Sequence, residues 1–281
     1  VKKIAVLPTL LTLGNGVCGF AAIVCASKIA SADAATAAQQ FTAAGWLIVA
    51  AMLFDALDGY VARLTKTASK FGGELDSLCD AISFGAAPAY LILQLGAQHD
   101  AHPYLSRVVA AVAVLYLVCA ILRLARFNVT SNTPDPAAHK RFQGLPSPGA
   151  AGCLASLAIL RGVSPAKLAQ FLEGTNPAAV ANTVQLTVES WALIGGLCVA
   201  LLMVSQVPYP HVTKNILRGK RPFGHLMQLI LAAFVLLLIQ EMALVVLFWV
   251  YALGLPVNYL IVRQLRRRQV ATPRLEEGLP R

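Results

Sequence analysis

Apolar runs long enough to cross a bilayer recur from one end of this chain to the other, and few charges interrupt them. A helix needs about 20 apolar residues to cross ~30 Å of hydrocarbon. Such runs occupy about 5–27, 43–64, 72–96, 107–128, 148–163, 185–207, 224–241 and 243–263. Only 13% of the 281 residues are charged, where a soluble domain uses roughly a quarter. The bilayer is therefore the solvent. The expectation is an all-α integral membrane protein of about eight transmembrane helices, a single transmembrane domain over 1–263 with a basic tail at 264–281. The opening Val1-Lys2-Lys3 and the apolar stretch behind it have the outline of a signal peptide. That stretch is long enough to span and carries Pro8, Thr12, Gly14 and Asn15, so it is read as the first transmembrane helix.

The net charge of +10 would raise the question of nucleic acid in a soluble protein. In a membrane protein it reads as topology, because basic residues collect in the cytoplasmic loops. With a cytoplasmic N-terminus, 19 of the 23 basic residues fall on one side. They begin with Lys2, Lys3, Arg63, Lys66 and Lys70, continue through Arg123, Arg126, Lys140 and Arg141, and end with the arginines of the tail. Only Lys28, Arg107, Arg161 and Lys167 fall on the other. Both termini are thus expected in the cytoplasm, the protein in the cytoplasmic (inner) membrane among its lipids, and no nucleic-acid partner. The arginine run after Arg263 is read as a stop signal in preference to an anionic-lipid anchor. The six cysteines are dispersed through apolar segments without metal-ligand or disulfide-framework spacing, and are read as packing residues. Trp46, Trp191 and Trp249 are read as interfacial, and Glu189 and Glu241 as lying at the outer ends of spans. His139, His211 and His225 show no metal-ligand spacing.

Five of the 13 acidic residues sit between Asp55 and Asp80. A carboxylate inside a span costs at least ~2.5–3.5 kcal/mol, so Asp55, Asp58, Asp76 and Asp80 need compensation. Divalent cations supply it, since carboxylate oxygens are preferred ligands of Mg²⁺ and Mn²⁺. Asp55 and Asp58 are three apart and Asp76 and Asp80 four apart, so each pair shares a helix face. Two helices joined by the short loop Thr65–Phe71 are expected to pack antiparallel and bring the pairs together. Gly59, Ala62, Gly72 and Gly73 would allow close approach or leave room for a ligand. The pattern predicts a two-metal carboxylate site near the cytoplasmic interface.

The run Asp55-xx-Asp58-Gly59-xx-Ala62-Arg63, eight residues, then Gly72-xxx-Asp76-xxx-Asp80 resembles the signature of the CDP-alcohol phosphotransferase family at all eight of its fixed positions. The resemblance implies an all-helical membrane fold, usually a homodimer, that transfers a phosphate-linked group from a CDP-activated lipid to an alcohol. It implies that Asp55, Asp58 and Asp76 ligate one metal and that Asp55, Asp76 and Asp80 share a second. Asp80 would also be the general base. Gly59, Ala62, Arg63 and Ser69 would contact the CDP-lipid. So would the first helix, where Pro8-Thr9-Leu10-Leu11-Thr12 carries Thr9 in place of the family's asparagine, and Asn15, one turn beyond Thr12, is the residue able to serve instead.

Three further stretches resemble the serine-using branch of that family, the membrane-embedded phosphatidylserine synthases of bacteria and archaea. They are Pro8 to Asn15, Asp76 to Pro88, and Arg123-Leu-Ala-Arg-Phe-Asn128 with Phe142 to Pro148. The resemblance implies CDP-diacylglycerol as donor and L-serine as acceptor. A serine carboxylate calls for a cationic partner, and Arg123, Arg126 and Lys140 are the candidates. Glycerol 3-phosphate, inositol, inositol phosphate and choline remain as acceptors of the same chemistry. An ion-coupled transporter is the rival from another class, but transporters commonly repeat their broken-helix sites in both halves, and this acidic cluster occurs once.

Overall fold

The computed structural model describes residues 6–65, 69–96, 103–131, 144–164, 176–205, 207 and 240–271. Among these, every regular element is helical: α1 (Val6–Ser27), a 3₁₀ turn (Ile29–Ser31), α2 (Ala34–Leu64), α3 (Lys70–Asp80), a π-helical segment (Ala81–Ala86), α4 (Ala87–Gly96), α5 (Pro103–Ser131), α6 (Ser147–Arg161), α7 (Pro177–Val204) and α8 (Gln240–Ala271). α3, the π segment and α4 form one continuous rod, Lys70–Gly96. Among the described residues, five stretches are long and apolar enough to cross a membrane, namely Val6–Ser31, Ala34–Leu64, Lys70–Gly96, Tyr104–Val129 and Ala178–Val204. Leu10, Val17, Phe20, Leu53, Tyr60, Ile194 and Leu201 are exposed along these helices, a lipid-facing exterior that water would not tolerate over such a length.

The expected spans and the observed helices agree in place and differ at their ends. α2 starts at Ala34, well before the expected boundary at 43, because the Asp33 carboxylate caps it by accepting from the Ala35 and Thr36 amides. α7 begins at Pro177, ahead of the expected 185, because Asn176 caps it in the same way through the Ala178 amide. One reading is corrected: Glu189 lies inside α7 and is buried, not at the outer end of a span. Trp249 is buried and meets the exposed Trp191 edge-on with ring centroids 5.2 Å apart, so this pair joins α8 to α7. The expected span at 224–241 lies almost wholly outside the described residues, as do His139, Lys140, Arg141, His211, His225 and the tail from 272.

α6 forms the centre. It packs against α2, α7 and α8 and also touches α4, and every residue from Ala150 to Leu160 is buried. Only a helix rich in alanine and glycine can be enclosed on all sides at such short range. A Cβ on Gly45 of α2 would come within 2.7 Å of the Ala155 carbonyl, and one on Gly152 would collide with the Phe248 ring of α8. The chain enters α6 through Gly144, whose φ of +94° favours glycine. There the Gly144 and Leu145 amides donate to the carbonyls of Val207 and Leu202 at 2.9 and 3.0 Å, hooking the entry of α6 onto the end of α7.

The carboxylates of α2 and α3 meet, as expected, and α1 packs closely on both helices. Gly16 seats on Cys79 and Gly19 on Ser83, where an added Cβ would clash. Cys79, Cys119 and Cys153 are buried and all six cysteines are free, in keeping with a packing role.

Candidate active site and metal centre

The last turns of α2 carry Asp55 and Asp58, and α3 carries Asp76 and Asp80. The structure brings three of the four together. One carboxylate oxygen each from Asp55, Asp76 and Asp80 lies within 4.8 Å of the others, and all three side chains are half-buried. These are the residues expected to share the second metal. Asp58, outside this group of three, accepts a 2.7 Å hydrogen bond from the Thr12 hydroxyl of α1.

Three carboxylates at this separation repel one another strongly in a medium of low dielectric. Asp76 Oδ1 is buried and lacks a hydrogen-bond partner. An acceptor left in that state costs ~1–3 kcal/mol or more when charged. Repelling oxygens together with an orphaned one fit a divalent cation, which prefers oxygen donors. The donor set thus suits the metal that the sequence implies.

The first helix also reaches the acidic residues. Asn15, wholly buried, donates from Nδ2 to Asp80 Oδ1 at 2.9 Å. The Ser83 hydroxyl of the π segment donates to the Asn15 carbonyl at 2.9 Å. Thr12 and Asn15, expected against the CDP-lipid, thus each donate one hydrogen bond to a carboxylate of the acidic cluster, Asp58 and Asp80.

Of the glycines at the end of α2 and the start of α3, Gly59 and Gly73 face open space, whereas a Cβ on Gly72 would lie 3.2 Å from Ser69 Oγ. A Cβ on Gly73 would meet nothing within 4 Å, and one on Gly59 would meet only the Arg63 guanidinium, at 3.5 Å. Ser69 is exposed and caps α3 by accepting from the Gly72 amide at 3.0 Å. Ala62 is half-buried and Arg63 exposed on the same last turns of α2.

Arg123 and Arg126 part company. Arg123 of α5 is partly buried, donates from a terminal nitrogen to Ser147 Oγ at the start of α6 at 3.0 Å, and has a buried Nε without a partner. It lies near enough to Asp80, Tyr251 and Tyr116 to interact with them electrostatically. Arg126 is exposed. Sequence reasoning missed the polar residues that tie these helices: Ser77 with Asn128 (2.9 Å), Tyr116 with the Phe84 carbonyl (3.1 Å), Ser83 and Ser147. Asn128 and Ser147 stand inside stretches already singled out by resemblance, which was the available signal.

The fold and the acidic cluster define a helical membrane protein with a group of carboxylates able to hold a divalent cation. Residues 5–198 match the CDP-alcohol phosphatidyltransferase family, and the chain belongs to that family. A Helicobacter pylori (strain 26695) protein named CDP-diacylglycerol–serine O-phosphatidyltransferase is 40% identical over 175 residues, 62% of this chain and 63% of the relative. Proteins of the same name from Methanocaldococcus jannaschii and Saccharomyces cerevisiae are 43% identical over 105 residues (37% of this chain, 45% of theirs) and 37% identical over 142 (49% and 48%). The matched part of the chain therefore spans less than two thirds of the length of these relatives.

Proposed function

We propose that this chain transfers a phosphatidyl group from CDP-diacylglycerol to the hydroxyl of L-serine, giving phosphatidylserine and CMP. The observation that carries the reading is the convergence of Asp55, Asp76 and Asp80 in a chain whose relatives carry that activity in their names. Asp55, Asp58, Asp76 and Asp80 would hold two divalent ions, Mg²⁺ or Mn²⁺, which would supply charge neutralisation for the pyrophosphate and the departing CMP. Asp80 accepts the proton of the serine hydroxyl as its oxygen bonds to phosphorus and the bond from phosphorus to the CMP oxygen breaks. Gly59, Ala62, Arg63 and Ser69 form the face that receives the CDP group, with its room supported by the open space at Gly59 and Gly73.

For the serine carboxylate, the geometry favours Arg123 over Arg126, because Arg123 lies close to Asp80 and keeps a buried Nε donor in hand. Lys140 completes the set of acceptor-binding candidates. The reading includes a single catalytic domain over 1–263 with a basic tail, eight spans, cytoplasmic termini, an inner-membrane location with the site near the cytoplasmic face, and a homodimer. The positive-inside distribution of charge supports the orientation.

The test is CMP release from CDP-diacylglycerol by the purified chain with Mg²⁺ or Mn²⁺, offering serine, glycerol 3-phosphate, inositol, inositol phosphate and choline separately. Release with serine alone is expected. Release with another alcohol overturns the acceptor, and no metal-dependent release with any of them overturns the enzyme reading in favour of a class such as an ion-coupled transporter.

A further inference from the structure

α1 reaches the acidic site with one amide side chain, and three features of that residue bear on its role. Asn15 is wholly buried. Its Nδ2 lies 2.9 Å from Asp80 Oδ1, and a carboxylate oxygen can only accept there. Its backbone is fixed independently of its side chain, by the Ser83 hydroxyl on its carbonyl and by the tight seating of Gly16 on Cys79 and Gly19 on Ser83. The amide is therefore aimed by the packing of α1 on the rod that carries Asp80.

The other end of the side chain sharpens the point. Asn15 Oδ1 is buried without a hydrogen-bond partner. A leucine of similar shape would fill the space without leaving an acceptor stranded. What a leucine lacks is the donor that Asp80 receives.

We propose that Asn15 is a positioning residue of the acidic site: its amide occupies one oxygen of Asp80, fixing the plane of that carboxylate and leaving the second oxygen for the reacting proton. This rests on the phosphatidyl-transfer reading above but not on which alcohol is the acceptor. It adds to, and is separable from, the expectation that Asn15 binds the CDP-lipid, since the amide carries two N–H donors and the one assigned here goes to Asp80. Thr12, three residues earlier, does for Asp58 what Asn15 does for Asp80, so α1 steadies one carboxylate from each pair.

The experiment compares the full chain with Asn15→Leu and Asn15→Asp in lipid nanodiscs. Steady-state CMP release is measured with whichever alcohol the wild type uses, and Mn²⁺ binding is measured by electron paramagnetic resonance without substrate. Outer-shell partners of metal ligands commonly contribute about 10–100-fold. Asn15→Leu is expected to lower kcat by about that factor and to weaken Mn²⁺ binding about tenfold, with the KM for CDP-diacylglycerol unchanged. Asn15→Asp, which sets a carboxylate against Asp80, is expected to lose more. A raised KM with kcat kept at saturation overturns the proposal and returns Asn15 to the nucleotide. Unchanged turnover and Mn²⁺ binding overturn it as well. Should Asn15→Leu fail to fold, Asn15→Ser gives the same comparison with a polar group retained. If the wild type is inert with serine, only the acceptor assignment falls, because Mn²⁺ binding needs no acceptor.

Discussion

Glycines do opposite work in two regions of this molecule. Around α6 they are filled against: Gly45 sits on Ala155 and Ile159, Gly152 on the Phe248 ring, and Gly195 on Trp249. At the end of α2 and the start of α3, Gly59 and Gly73 face open space, with no atom within 4 Å of a Cβ built on Gly73. In the first region the missing side chain lets helices approach, which is how helices associate where lipid supplies no hydrophobic drive. In the second it keeps a face clear beside three clustered carboxylates. A stripe of small residues in an apolar helix therefore has two meanings, and only the neighbours decide between them.

The two regions separate most sharply at the carboxylates. Stripping divalent metal with a chelator is expected to abolish CMP release, and Asp80→Asn is expected to reduce kcat by about 10²–10⁴-fold, the range for loss of a general base. Both should leave the melting temperature of the α6 core within a few degrees. Normal turnover by Asp80→Asn would remove the general-base role. Next in size is Gly152→Leu, which forces a side chain into the Phe248 ring. Overpacking of about 1–3 kcal/mol should lower the melting temperature by roughly 5 °C, with kcat per folded molecule retained. Gly73→Leu should do the reverse. The expected result is an unchanged melting temperature and a KM for CDP-diacylglycerol raised about tenfold, equivalent to ~1.4 kcal/mol. A melting-temperature loss with an unaltered KM would show that the open face is a packing face. The smallest effect belongs to Thr12→Val. It removes the 2.7 Å bond to Asp58 and should weaken Mn²⁺ binding a few-fold, read by titration without substrate.

The acidic site was legible because periodicity alone sets Asp55 with Asp58 and Asp76 with Asp80 on helix faces. Its supports were not, because they join residues far apart in sequence. Thr12 meets Asp58 across 46 positions and Asn15 meets Asp80 across 65, and nothing local in α1 announces either partner. The helices were legible as apolar runs, but their starts were not, since Asp33 and Asn176 cap helices that continue past the hydrocarbon-length stretch used to find them. Glu189 misled for a related reason: hydropathy treats any carboxylate as a span end, whereas burial inside α7 depends on the helices around it. The central place of α6 was likewise invisible, because an alanine-rich run reads the same whether it meets lipid or protein.

The hook at Gly144 bears on the order in which the chain is assembled. α6 has 15 residues, roughly 22 Å at ~1.5 Å per residue, shorter than the ~30 Å of a hydrocarbon core. It leaves the ribosome before α7 and α8, which supply much of its enclosure, and the carbonyls that anchor Gly144 and Leu145 belong to Val207 and Leu202, made only after α7 is complete or nearly so. The enclosure of α6 is thus completed only once α7 and α8 have been made, whereas the aspartates and the α1 residues that meet them all lie within the first 83 positions.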